Sequence, residues 1–204
     1  LQMGISYDMF TTTHTENHFK VSQSIFLALK ENGHLYAKKS MQWYSPEASR
    51  FLPDRYVEGT CYICGKDGAR SDQCDSCGNV LEPAKLKNPK AKGGDALELR
   101  ETEHFYLDLS KLEPKVASFL RERSAHMRDT VLGESLGKIE AEGLLPRPIT
   151  RDLDWGIPVP VEGWEGKCLY VWFEAVIGYL SSPIEMAQVN GTPDAWQDWW
   201  TNPD

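Results

Sequence analysis

Four cysteines, Cys61, Cys64, Cys74 and Cys77, stand in the spacing C-x2-C-x9-C-x2-C. Paired thiolates of this kind suit an ion with no geometric preference of its own. A C-x2-C turn holds two sulfurs at the bite of a tetrahedral site and aims backbone N–H groups at them. Gly65 and Gly78 each follow the second cysteine of a pair, where a tight turn calls for positive φ. Two disulfides and an iron–sulfur cluster are the competing uses of such a set. No secretory pattern opens the sequence, and together with the paired glycines this favours one structural Zn2+. With all four ligands cysteine, no coordination position stays open for water, so the ion is expected to brace the fold and not to catalyse.

Other reactive side chains form weaker sets. His14 and His18 lie four residues apart where a helix is expected to begin, but no third ligand is near in sequence. A solvated or helix-terminal role is expected for them. His104, between Glu103 and Phe105, reads as a strand-packing residue. Cys168 stands alone in an apolar stretch. Arg151 beside Asp152 and Asp154 reads as a surface charge pair, and Tyr170, Trp172, Phe173 and Tyr179 serve either the core or an apolar ligand. No phosphate-cradling glycine loop and no serine-nucleophile elbow is found, so no catalytic residue is assigned.

These side chains need elements to hold them. Thr13-His-Thr-Glu16 matches a capping box, and Phe19, Ile25, Phe26 and Leu29 follow at helical spacing until Gly33, which predicts a helix from about Glu16 to Asn32. A strand is expected over Leu35 to Tyr44, a basic loop over Lys85 to Asp95 and a strand pair over Ala96 to Leu109. Ser110-Lys-Leu-Glu113 reads as a second capping box. It heads one helix, and Val131, Leu132, Leu136 and Ile139 mark another that ends at Gly143. Leu169 to Phe173 reads as a buried strand and Glu174 to Leu180 as a helix. The 204 residues, 41% hydrophobic and 25% charged, suffice for one or two cores. A net charge of -8 disfavours bulk adhesion to nucleic acid or to an anionic membrane. No stretch of eighteen apolar residues offers a membrane span, and a cytoplasmic location is expected. The chain begins at Leu1 and stops after a tryptophan-rich stretch, which suggests a fragment.

Six segments resemble one family, the methionyl-tRNA synthetases. They are Ile5 to Thr13, Phe51 to Cys61, the cysteine cluster, Glu103-His-Phe-Tyr106, Ile149 to Pro158, and Tyr170-Val-Trp-Phe-Glu-Ala-Val-Ile-Gly-Tyr179. The resemblance implies an α/β chain, part of a class I Rossmann-like nucleotide-binding fold interrupted by a mixed α+β connective domain with a zinc knuckle. Residues 1–35 would end the first half of the catalytic fold, 36–148 would be the insertion with its knuckle at 61–78, and 149–204 would return to the catalytic fold. It further implies a methionine–tRNA ligase that activates methionine with ATP and Mg2+ to methionyl-adenylate and passes the acyl group to tRNA(Met). Trp172, Ala175 and Tyr179 match positions lining the methionine pocket. Arg151 matches an arginine that pairs with an acidic residue of the first half. Contact of the insertion with the tRNA acceptor stem is implied as well.

The family's His-x-Gly-His and Lys-Met-Ser-Lys-Ser signatures do not occur in these residues, and Lys39-Ser-Met41 is not the latter. The segment alone is therefore expected to be inactive. Glu174 and Val176 depart from the aspartate and proline common in the family. Two other readings stand beside this one: a separate zinc-ribbon module that binds nucleic acid or protein, and a synthetase paralogue that no longer charges tRNA. The apolar run at Leu169 to Phe173 suits a split sheet better than a ribbon.

Overall fold

A computed structural model describes residues 4–201. From the N-terminus the elements are α1 (Glu16–Glu31), β1 (Leu35–Ser45), β2 (Arg50–Phe51), β3 (Val57–Thr60), β4 (Ala69–Arg70) and β5 (Lys87–Ala91). They continue with β6 (Glu98–Leu107), α2 (Leu109–Glu122), α3 (Asp129–Glu142), β7 (Arg147–Pro148) and β8 (Thr150–Arg151). The chain closes with β9 (Cys168–Leu169), α4 (Val171–Val189) and the short α5 (Gln197–Trp200). Two compact units result. One comprises residues 4–36, 106–150 and 154–201, the other 37–105 and 151–153.

The first unit is built on α1 and α4. Thr15, in extended conformation, accepts a hydrogen bond from the His18 N–H at 3.1 Å and caps α1. The expected box at Thr13 is thus displaced by two residues, and the threonine that meets the orphan N–H groups is the one directly before Glu16. Phe26 is wholly buried and meets Phe173 edge-on, with ring centroids 6.5 Å apart. The expected strand over Leu169 to Phe173 is corrected. Pairing stops at Leu169, Tyr170 is the extended N-cap, and α4 runs nineteen residues from Val171. A short apolar run carries no period that separates a buried strand from a buried helix, and β propensity yields to context.

α2 and α3 follow as a helical pair. The second capping box does not form: α2 starts at Leu109, and its N-cap Asp108 makes no side-chain capping bond. α3 ends as its glycine signal requires, with Gly143 at φ 69° and the Leu144 N–H donating to Glu113 at 2.6 Å.

The second unit carries the cysteines. β2, β1 and β6 lie side by side, with Tyr44 opposite Phe51 in the antiparallel β1–β2 pair. The strand pair expected over Ala96 to Leu109 is one continuous strand, β6. A second sheet, in the order β4-β3-β5, is antiparallel throughout. Part of the basic stretch expected as a loop is therefore strand β5, whose Lys90 lies opposite Glu58. Cross-strand pairing with β3 outweighs the poor propensity of a lysine- and proline-bearing segment. Gly59 is needed there, since a Cβ would stand 2.5 Å from the Lys87 carbonyl oxygen. The core gathers Trp43, Leu52, Val57, Ala69, Leu81 and Leu86 around Cys61 and Cys74.

Candidate functional site

The two cysteine turns are built alike. In the first, the Cys61 N–H donates to the Lys66 carbonyl at 2.8 Å and the Gly65 N–H to the Cys61 carbonyl at 2.9 Å. In the second, the Cys74 N–H donates to Asn79 at 3.0 Å and the Gly78 N–H to Cys74 at 2.8 Å. Gly65 and Gly78 sit at φ 75° and 71°, as expected of them. The Cys64 N–H also points at the Cys61 Sγ, 3.5 Å away.

All four Sγ atoms lie within 4.8 Å of one another. Cys64 and Cys74 are 3.7 Å apart, Cys61 and Cys77 4.0 Å. Four sulfurs at about 2.3 Å from a tetrahedral ion would be separated by about 3.8 Å, whereas a disulfide needs about 2.05 Å. The cluster therefore fits a metal-binding tetrathiolate and not a pair of disulfides. Within the cluster the thiols shift in opposite directions: N–H groups of Asn79 lower Cys77, while Cys64 is raised beside the other sulfurs, so the fit to a metal rests on the geometry. Among the described residues this is the one group of three or more ligating side chains able to hold an ion.

The other site residues are found as follows. Trp172, Ala175 and Tyr179 share one stripe of α4, at helical positions i, i+3 and i+7. Trp172 and Tyr179 are 62% and 77% exposed, so this aromatic stripe is open along its length. Arg151 belongs to the second unit. Its Nε lies 3.2 Å from an Asp54 carboxylate oxygen, with both side chains mostly buried. Arg151 is thus mostly buried and not a surface charge, and Asp54, 97 positions away within the chain, is one of its partners. Asp72 is close enough to feel this pair. Burial and the Asp54 charge raise its carboxyl, while Arg151 pulls it down.

Two buried histidines have partners that the sequence did not indicate. His18 is not solvated: it is 1% exposed, with Nδ1 2.8 Å from the Ser181 hydroxyl and Nε2 2.8 Å from the Glu174 carboxylate. His104 is buried in β6 as a packing residue should be, and its Nε2 also lies 3.1 Å from Asp152. Spacing gave no sign of either partner. Cys168 is buried and apart from the cluster. Burial, and then the Asp154 charge, push its thiol up.

Comparison with solved structures defines the class of fold. The chain is similar to the crystal structure of Mycobacterium tuberculosis methionyl-tRNA synthetase bound by methionyl-adenylate, with TM-score 0.54 and 21% identity over 89% of this chain and 31% of that one. The free form of the same enzyme gives 0.51 and 21% over 88% and 31%. These likenesses show the fold alone, a mixed α/β architecture. The family model described as tRNA synthetases class I (M) matches residues 1–204, and the chain belongs to that family. Among curated relatives, the methionine–tRNA ligase of Thermobifida fusca is 50% identical over 99% of this chain and 34% of that protein. The Kineococcus radiotolerans ligase is 52% identical over 98% and 34%. The chain therefore spans about a third of the length of the curated relatives it matches. A family match along the whole chain does not favour the reading of a separate zinc-ribbon module.

Proposed function

We propose that these residues form the central part of a methionine–tRNA ligase, in which one structural Zn2+ holds the connective insertion and α4 forms a wall of the methionine pocket. In sequence the insertion is 36–148, the catalytic fold flanks it at 1–35 and 149–204, and the zinc-bearing unit at 37–105 is its central body. The complete enzyme joins the methionine carboxylate to the α-phosphate of ATP with Mg2+, expels pyrophosphate, and passes the acyl group to tRNA(Met). Its place of work is the cytoplasm. No described helix is long and apolar enough to cross a membrane.

The single observation that carries this reading is the exposed stripe of Trp172, Ala175 and Tyr179 within a chain matched end to end by the family. Catalysis of adenylate formation rests on placing two reactants and stabilising phosphate charge. The work of this segment is the placing. Aromatic faces beside a small alanine suit an unbranched thioether, since sulfur–aromatic contacts contribute about 0.3–1.5 kcal/mol each. Arg151, held by Asp54, is read as the arginine that the family resemblance assigns to shaping the active site. The insertion, braced by its ion, is suited to meet the acceptor stem of the tRNA.

Trp172→Ala in the complete enzyme is the test. The KM for methionine should rise about tenfold or more while the KM for ATP stays within twofold. An unchanged KM for methionine would remove α4 from the pocket.

A further inference from the structure

A buried polar cluster joins α1 to α4. His18, wholly inside the first unit, spends both ring nitrogens on α4: Nδ1 on Ser181 and Nε2 on Glu174, each at 2.8 Å. Ser22, one turn along α1, stands 3.3 Å from the same Nε2, and Asn17 donates its amide to the Ser181 carbonyl at 2.8 Å. Whichever nitrogen carries the proton, each has a polar partner on α4.

The positions of these partners matter. At about 100° per residue, Glu174 and Ser181 project within about 20° of each other, and so do Trp172 and Tyr179. The two pairs point in opposite directions across the helix axis. One imidazole therefore grips the back of α4 at two points seven residues apart, directly behind the aromatic stripe. Two grips in line along a helix resist rotation about its axis. A slip of about 10° would carry the tips of Trp172 and Tyr179 by about 1 Å on a helix of about 10–12 Å diameter. Displacements of that size can cost up to about a hundredfold in rate or recognition.

We propose that His18 is a positioning residue for methionine recognition: by holding Glu174 and Ser181 it fixes the rotation of α4 and so aims Trp172 and Tyr179 at the substrate side chain. This rests on the reading that α4 lines the methionine pocket. His18 touches no reacting atom. Its effect reaches the substrate only through the helix, from the face that carries Glu174 and Ser181 to the opposite face that carries Trp172 and Tyr179.

The test measures ATP–pyrophosphate exchange by the complete enzyme, with KM for methionine, KM for ATP, preference over norleucine and melting temperature for each variant. His18→Ala should raise the KM for methionine on the order of tenfold and weaken the preference over norleucine, with the KM for ATP within twofold. His18→Gln, which can still hydrogen-bond to α4, should recover most of the loss. Ser181→Ala removes one grip and should raise the KM for methionine about threefold; it carries the test should His18→Ala fail to fold. A lower melting temperature with unchanged KM and unchanged preference in these variants would reduce His18 to a core residue and overturn the inference. Trp172→Ala, run alongside, separates the two failures. If it also leaves the KM unchanged, the pocket reading is at fault; if it raises the KM while the His18 and Ser181 variants do not, only the positioning claim falls.

Discussion

At the scale of single residues, the thiols divide into four that converge on one candidate metal site and one outside that group. Cys64 is exposed, Cys61 and Cys74 are buried, and all four converge within reach of one metal. Cys168 is buried elsewhere with its thiol pushed above the usual range, so its reactive thiolate is scarce at neutral pH and grows only as the pH rises. Alkylation of the metal-loaded protein at pH 7 is expected to label none of the five quickly. After chelation four should react fast and Cys168 slowly, with its rate climbing in alkaline buffer. A fast fifth thiol at pH 7 would contradict the burial of Cys168. The cysteines were legible in the sequence because their ligand geometry is local, written into two four-residue turns and their glycines. His18 and Arg151 were not. Their partners lie 156, 163 and 97 residues away, and no spacing rule reaches that far.

At the scale of elements, α1 and α4 form the frame that everything in the first unit depends on. Phe26 is its centre, with no exposed surface and an edge-on contact to Phe173. Phe26→Ala should cost about 3–5 kcal/mol, read as a loss of the helical unfolding transition, whereas Phe119→Ala, on the half-exposed side of α2, should cost under about 1 kcal/mol. Equal costs would place the core elsewhere. Helices with clear apolar period and a glycine stop, α1 and α3, could be read directly. β5 and the start of α4 could not, for opposite reasons: β5 is polar and becomes a strand only through its partner β3, while the uniformly apolar run Val171 to Phe173 has no period that tells strand from helix. In both cases a non-local contact decides the local conformation.

At the scale of the whole molecule, the four clustered thiols belong to one unit only. Cys61 and Cys74 are part of the core of the second unit, so metal binding by the cluster is expected to be coupled to folding of that unit. A chelator should therefore melt the signals of residues 37–105 while the α1–α4 pair keeps its helical signal. Loss of both together would mean that the ion supports more than its own unit. The polar grip of His18 on α4 persists in that experiment, because none of its partners is a ligand.

The account as a whole stands or falls on the substrate. ATP–pyrophosphate exchange measured with each of the twenty amino acids tests it most directly. The complete protein is predicted to respond to methionine alone, and residues 1–204 by themselves to none. Exchange driven by another amino acid, or exchange by residues 1–204 unaided, would contradict it.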